Sequence, residues 1–89
     1  MRIVLTIVGK DQVGIIAKAS NLLASYNVNI LNINQNILDG FFNMVLIGDI
    51  TDSNVSIKEL KASFHKMSEE LGLDIKVQHE EIFVAMHRI

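Results

Sequence analysis

The chain has 89 residues, no cysteine and a formal net charge of −2 at pH 7. Its length suits one domain, because domains typically need on the order of 100 residues. The lack of cysteine excludes disulfides, thiolate metal sites and thiol catalysis. The weakly acidic balance and the dispersed Lys and Arg residues argue against a surface for nucleic acid. Because so small a core is marginally stable alone, we expect association with another chain.

Residues 2–8, RIVLTIV, are a nearly continuous β-branched run and predict a central strand that is covered on both faces. Apolar residues then recur at helical spacing, and they are Ile15, Ile16, Ala19, Leu22, Leu23 and Tyr26. Asn27 suits the left-handed conformation that ends a helix. Residues 28–37 predict a second strand, whose alternation shifts at Ile30 and Leu31. This shift indicates either a bulge or a strand that uses both of its faces.

The pair Asp39-Gly40 predicts a two-residue hairpin, because both central residues of a tight primed turn need positive φ. Residues 41–50 are the predicted returning strand. Ser56 and Glu59 form a capping-box pattern at the start of a second helix, and Gly72 suits its end. The apolar stripe of this helix consists of Ile57, Leu60, Phe64, Met67 and Leu71. Residues 73–78 alternate in polarity and predict an edge strand.

Residues 79–89 form a tail, which we interpret as a short helix with Ile82, Phe83 and Met86 facing inward. The order of elements predicts one α+β domain over residues 1–89 with the ferredoxin-like βαββαβ topology. In that fold two helices cover one face of a four-stranded antiparallel sheet. The sequence has no apolar run long enough for a membrane span. Lys10 and Asp11 interrupt the apolar start, which argues against a signal peptide, and we expect a cytoplasmic protein.

Patterns that support catalysis are missing from the sequence. The spacing of His65, His79 and His87 is not typical of a metal site, so we expect no metal, no cofactor and no catalytic residue. Phe41 and Phe42 on the third strand could suggest RNA binding, but the basic residue that should precede them is replaced by the acidic Asp39-Gly40 pair. Packing in the core or an interface explains these aromatic residues better. An acylphosphatase-like enzyme would need an arginine in the first strand–helix loop, where none stands.

The loop GKDQVG, residues 9–14, forms a plausible cradle for a small ligand. Asp11 is placed to cap the first helix, and Gly14 permits a close approach of the backbone. Alternatively, Asp11 serves only as a helix cap and Gly14 only allows the turn. Exposed N–H groups near Gly14 and Ile15 would accept a carboxylate. Asp11 and the amide of Asn29 would accept an ammonium group. This polarity suits a zwitterion and therefore a free amino acid.

The segment GKDQVGIIAKASNLLASYNVNI, residues 9–30, resembles the signature of the ACT domain, a small regulatory module that binds amino acids. The resemblance covers the whole chain. The ending EEIFVAMHRI is similar to that of a bacterial family of stand-alone single ACT domains. That family is similar in turn to half of the glycine cleavage system transcriptional repressor.

The resemblance implies a homodimer with ligands at its interface. It assigns the ligand loop to Asp11, Gln12, Val13, Gly14 and Ile15, with Asn29 opposite. In several amino-acid-binding relatives a histidine and an asparagine stand at the positions of Gly9 and Asp11. The identity of the ligand therefore does not transfer to this chain.

Two hypotheses about function follow. The chain is a non-enzymatic regulatory module that senses an amino acid at a homodimer interface. Alternatively, it is a ligand-free interaction module that modulates a metabolic enzyme or a transcriptional regulator in trans. Asn32, Asn34 and Asn36 share one strand face, which is either a polar dimer surface or a surface exposed to solvent.

Overall fold

The computed structural model describes the backbone of residues 1–86 and the side chains of residues 1–84. Within these residues the chain forms four strands and three helices. They are β1 (Arg2–Lys10), α1 (Ile15–Ser25), β2 (Asn29–Leu38), β3 (Phe41–Asp49), α2 (Ile57–Leu71), β4 (Asp74–His79) and α3 (Glu80–Met86). The predicted ferredoxin-like βαββαβ order is confirmed, and α3 follows it.

The four strands form one antiparallel sheet in the order β2-β3-β1-β4. β1 is central and β4 lies at an edge, as predicted, while β2 forms the opposite edge. Lys10 of β1 pairs with Phe41, and Arg2 pairs with Asp49 at the other end. The register of β2 shifts between Ile30 and Asn32, which favours the bulge over the alternative of two used faces.

The core lies between the sheet and the helices α1 and α2. Its buried side chains come from alternate positions of β1 and β3 and from one stripe of each helix; they include Ile3, Leu5, Ile7, Phe42, Met44, Leu46, Ile15, Ala19, Leu23, Leu60, Phe64 and Met67. The predicted stripe of α2 is confirmed. The expected inward position of Ile16 is wrong, because this side chain is 36% exposed and only the neighbouring stripe of α1 meets the sheet.

The opposite side of the sheet, here called the open face, is formed by the other alternate positions. Val4 of β1 is 2% exposed, whereas Val8 on the same face is 45% exposed. The prediction that both faces of β1 are covered is therefore wrong at the Val8 end. We attribute the burial of Val4 to α3, which contacts β1 and β4 and whose Glu80 lies 3.5 Å from Arg2.

Local signals in the sequence predicted the turns and helix ends. Asn27, Asp39, Gly40 and Gly72 all have positive φ, between 51° and 80°. The Asp39-Gly40 turn is therefore of the expected primed kind. The Ser56 hydroxyl accepts a hydrogen bond from the backbone N–H of Glu59 at 3.2 Å, which confirms that Ser56 caps α2.

The predicted packing of the tail is only partly correct. Phe83 is half-buried, but Ile82 is 50% exposed, so its inward orientation is wrong. A seven-residue helix can turn only one side toward the sheet, and Ile82 lies off that side. The side chain of Met86 and the whole of His87 lie outside the described residues. Across residues 1–86, no helix has the length and apolar character needed to cross a membrane.

Candidate functional site

The loop between β1 and α1, residues 11–14, is held by neighbouring elements on two sides. The backbone N–H of Asp11 donates to the carbonyl oxygen of Gly40 at 2.9 Å, which fixes the loop against the β2–β3 turn. The side-chain amide of Gln12 donates to the carbonyl oxygen of Leu71 at 2.9 Å. That carbonyl belongs to the last turn of α2, where helix carbonyls lack helical partners. Gln12 therefore fastens the loop to the end of α2.

Gly14 is the N-cap of α1 and has a left-handed backbone, with φ 91° and ψ 3°. Its carbonyl oxygen accepts the first helical hydrogen bond from Lys18 at 3.0 Å. The prediction that Asp11 caps α1 is wrong, since no side chain among the described residues makes a cap hydrogen bond there. The turn at Gly14 starts the helix three residues after Asp11, whose backbone is bonded to Gly40 instead.

The start of α1 is consequently open to an anion. Its first turn, all of it within the described part of the chain, contains no acidic residue. The free N–H groups and the helix dipole make such an end favourable for a carboxylate. Val13 is fully exposed at the tip of the loop, whereas Ile15 is 2% exposed and anchors α1 in the core. The side chain of Ile15 is therefore not accessible to a ligand.

Gly9 lies where the resemblance places a histidine in several relatives. It belongs to the side of β1 that faces the helices. A Cβ atom at Gly9 would lie 2.6 Å from Cδ2 of Leu73, and Leu73 is buried. Any side chain at this position would require the buried Leu73 side chain to move, so the close packing of Leu73 accounts for the glycine.

Asn29 lies at the other end of the sheet from this loop. Asn29 and Arg2 both pair with Asp49 of β3, whereas Asp11 directly follows Lys10 at the opposite end of β1. Eight strand positions separate the two ends, a distance of roughly 27 Å at the usual rise per residue. A single chain therefore brings residues 11–15 together but does not bring Asn29 beside them.

Around Asn29 the structure forms a separate polar depression of about 400 Å³, lined by Ala24, Asn27, Val28, Asn29, Asp49 and Asp52. The amide of Asn27 donates to the carbonyl oxygen of Asp52 at 2.9 Å. Sequence reasoning did not identify Asp49 or Asp52 at this end. The signal that could have indicated Asp49 is the threonine two residues later, a spacing typical of turns closed by an aspartate side chain.

The electrostatics of this end centre on Asp49. Hydrogen bonds from the hydroxyl and then from the backbone N–H of Thr51 hold the pKa of the Asp49 carboxyl below its ordinary value of 3.8. The positive amino group of Met1, 3.5 Å away, acts in the same direction. Asp49 is therefore charged at neutral pH and engaged with its own chain.

The open face carries a row of amides. Asn32, Asn34 and Asn36 of β2 pair with Ile47, Val45 and Asn43 of β3, and paired residues point to the same side. The three asparagines therefore share one face, as predicted, and all are exposed. Together with Asn43 they border a shallow depression of about 500 Å³. Phe42 is buried in the core, whereas Phe41 is 57% exposed.

The histidines were the other candidate functional groups. His65 lies on the exposed side of α2 and its Nε2 is 3.1 Å from Glu69. His79 ends β4 and is half-buried. Over the described part of the chain, no three His, Cys, Asp or Glu side chains are grouped so that they could hold a metal ion.

Comparison with known proteins relates this geometry to a family. The family model of the ACT domain matches residues 1–78. A UPF0237 protein of Clostridium perfringens is 53% identical over 89 residues, which are 100% of both chains. A UPF0237 protein of Listeria monocytogenes is 46% identical, and the match covers 100% of both chains. A UPF0237 protein of Methanocaldococcus jannaschii is also 46% identical, over 99% of this chain and 98% of the relative.

Solved structures show the same fold. An ACT domain protein from Streptococcus pneumoniae is 32% identical, with a TM-score of 0.80 and 93% of each chain covered. A formyltetrahydrofolate deformylase from Pseudomonas syringae is 30% identical, with a TM-score of 0.81; the match covers 88% of this chain and 27% of the deformylase. A protein assigned as a glycine cleavage system transcriptional repressor shares the fold at 18% identity, with a TM-score of 0.74, over 86% of this chain and 44% of its own.

Sequence and structure therefore agree on the identity of the fold. The family match extends over β1 to β4 and includes the loop that precedes α1. The ACT domain is a regulatory ligand-binding module. The chain belongs to the ACT domain family and is related over its whole length to the UPF0237 proteins.

Proposed function

We propose that this ACT domain is a non-enzymatic regulatory module that binds a small amino acid at the interface of a homodimer. The observation that carries the proposal is the uncapped start of α1 at Gly14, which follows the exposed Asp11 by three residues. An open helix N-terminus favours an anionic group, and a nearby acid favours a cationic one. A free amino acid carries both groups on neighbouring atoms.

Each predicted residue takes a defined role in this proposal. The backbone N–H groups of Gly14 and Ile15 receive the ligand carboxylate, and the Asp11 carboxylate receives its ammonium group. Gln12 keeps the loop in place through Leu71. The exposed side chain of Val13 forms an apolar wall.

Asn29 contributes to the site from a second copy of the chain. The separation of roughly 27 Å along the strands exceeds the size of any amino acid, so Asp11 and Asn29 of one chain cannot contact the same ligand. In a two-fold dimer whose axis runs across the strands, the opposite ends of the two sheets would lie next to each other. Such a dimer would bring Asn29 of one copy toward the loop of the other.

The test is a thermal-shift screen of the protein against the common amino acids at millimolar concentration. A ligand present at ~100 times its Kd stabilises the folded state by about 2.7 kcal/mol. Each kcal/mol raises the Tm of a domain of this size by roughly 4–8 °C. One amino acid is expected to raise the Tm, and Asp11→Ala is expected to abolish that increase.

Glu81→Ala serves as the matched control, since it removes an exposed acid far from the loop. It should leave the increase in Tm unchanged. A screen in which no amino acid changes the Tm contradicts the proposal. An increase that survives Asp11→Ala contradicts the assigned site.

The second candidate function is a ligand-free interaction module that modulates a metabolic enzyme or a transcriptional regulator. The observation in its favour is the structural similarity to the P. syringae deformylase, in which the matched part is only 27% of the chain. In that protein the similar fold accompanies a larger chain, and here an equivalent contact would form in trans. Specific capture of one such protein without added metabolite, together with a flat thermal-shift screen, would favour this alternative.

A further inference from the structure

A cleft of about 560 Å³ lies between the two long helices, and we call it the helix cleft. Its lining residues recur at intervals of three and four along the chain, so each helix contributes one face. They are Lys18, Asn21, Leu22, Ser25 and Tyr26 from α1 and its C-cap, and Ser63, Lys66, Met67 and Glu70 from α2. Sites for small organic molecules typically have volumes of ~300–1,000 Å³. The helix cleft is therefore large enough for such a ligand.

Hydrogen bonds hold α1 and α2 at both ends of the helix cleft. At one end the hydroxyl groups of Tyr26 and Ser63 are 2.6 Å apart. At the other end the Gln12 amide, just before α1, donates to the carbonyl oxygen of Leu71, beside Glu70. The start of α1 thus lies by the end of α2, so the helices run antiparallel. Because both ends are held, the cleft is formed before a ligand arrives, which lowers the cost of binding.

The floor of the helix cleft is apolar. Met67 is 7% exposed, while Leu22 and Tyr26 are half-buried and pack against the core. Aromatic rings stack favourably on tyrosine and contact methionine sulfur well. Lys18 and Tyr26 are eight residues apart, which corresponds to roughly 12 Å of helix. This length suits a two-ring aromatic molecule with an acidic substituent.

The rim of the helix cleft carries more positive than negative charge. Lys18 and Lys66 are both exposed, and neither forms an ion pair with a described residue. Glu70 is the only acid among the described residues that line the cleft. Lysine side chains that border an apolar floor favour a ligand with an anionic group, because such a group forms charge-assisted hydrogen bonds with them.

We propose that the helix cleft binds a small anionic aromatic molecule. Its ring lies against Leu22, Met67 and Tyr26, and its acidic group pairs with Lys18 and Lys66. The cleft has no residue in common with the loop 11–15. The inference is therefore independent of whether that loop binds an amino acid.

The test uses naphthoate, a two-ring aromatic carboxylate, and naphthamide, its neutral amide of the same shape. Both are titrated into the full chain with ¹³C-labelled methionine methyl groups, and binding is followed by nuclear magnetic resonance. Naphthoate should shift the Met67 signal in a saturable way and leave the signal of Met44, which is 1% exposed in the core, unchanged. Naphthamide should bind roughly five- to tenfold more weakly, because it loses two exposed ion pairs.

Two double variants test the role of the lysines. Lys18→Gln combined with Lys66→Gln should raise the Kd for naphthoate by the same factor and leave the Kd for naphthamide unchanged. Lys58→Gln combined with Lys61→Gln is the matched control, since it removes the same charge from α2 outside the cleft. This control should leave both values of Kd unchanged. All four lysines are exposed, so we expect every variant to fold.

The inference is overturned if millimolar naphthoate does not shift the Met67 signal. A response confined to the backbone N–H groups of Gly14 and Ile15 would place the anion at the start of α1 and equally overturn it. Equal affinity for naphthoate and naphthamide, or an equal loss of affinity in the control variant, would show that Lys18 and Lys66 do not select an anion.

Discussion

At the residue scale, Gly9 lies near the end of β1, where it contacts the core and is close in sequence to the candidate ligand loop. A Cβ atom there would meet Leu73 at Cδ2, 2.6 Å away, and at Cα, 3.4 Å away. The first contact requires the end of the Leu73 side chain to move, whereas the second is an ordinary van der Waals distance. The glycine therefore serves close packing, and the loop depends on other residues for ligand contacts.

Replacing Gly9 by valine should overpack this contact. We expect Gly9→Val to lower the free energy of unfolding by about 1–3 kcal/mol, as other overpacked cores do. Urea unfolding followed by circular dichroism measures the loss. Leu73→Ala in the same chain should recover part of it, because the two side chains share one space and their effects are coupled.

Lys10→Val is the matched control, since it places the same side chain at an exposed position of the same strand. It should change the unfolding midpoint little. If Gly9→Val were equally harmless, Leu73 would have room to move, and packing would not explain the glycine.

At the element scale, the two long helices begin in different ways. α2 starts at Ser56, whose hydroxyl accepts a hydrogen bond from Glu59. α1 starts at Gly14 without a side-chain cap from any described residue. A capping side chain satisfies N–H groups that a helix leaves free. The difference is expected if the start of α1 is kept available for a ligand.

In the ligand-free protein, alanine substitutions at the starts of the two helices should therefore differ in their effect on the free energy of unfolding. Ser56→Ala should lower the free energy of unfolding by about 1 kcal/mol, the usual effect of losing an N-cap. Asp11→Ala should change it little, because its side chain caps nothing. Urea unfolding of both variants measures this, and a comparable loss for Asp11→Ala would restore a structural role for that acid.

Among these elements, some sequence signals predicted the local structure correctly and others did not. The Asp39-Gly40 turn, the Ser56 cap and the left-handed Gly72 were predictable because each depends on the stereochemistry of a few adjacent residues. The orientations of Ile16 and Ile82 were not predictable. Both are apolar, and only the position of the sheet decides which side of a helix is buried.

At the scale of the whole molecule, the sheet separates two groups of candidate site residues. Residues 11–15 lie at one end, while Asn29 and Asp49 lie at the other. The Asp49 end joins the start of β1 to the loop after β3, through the contacts of Met1 and Asp49 with Thr51. Its lowered pKa therefore couples the stability of the whole fold to pH.

The sign of this coupling follows from the direction of the shift. Because the folded-state pKa of Asp49 lies below 3.8, its stabilisation is complete above that value. The stabilisation is lost as the pH falls through the lower folded-state pKa. Asp49→Asn should therefore lower the Tm at pH ~6 and have a smaller effect at pH ~2.5, because part of this stabilisation is already lost below the ordinary pKa of 3.8.

Asp52→Asn is the control for thermal melts at these two pH values. Asp52 is an exposed acid nearby, and its carboxylate accepts no hydrogen bond from the described residues. Its effect on the Tm should be small at both values. An Asp49→Asn effect that is equal at both values would show that the charge of Asp49 does not stabilise the fold.

The sequence by itself determined the order of elements, the Ser56 cap of α2, the Asp39-Gly40 turn and the family. These features depend on hydrophobic periodicity and on the conformational preferences of short segments, and both are set by residues that are close together in the sequence. Only the tertiary structure decided that Gly9 packs against Leu73, that Gln12 holds α2, and that Asn29 lies far from Asp11. These contacts and separations involve residues that are distant along the chain. They are set only when the strands pair and the helices pack on the sheet.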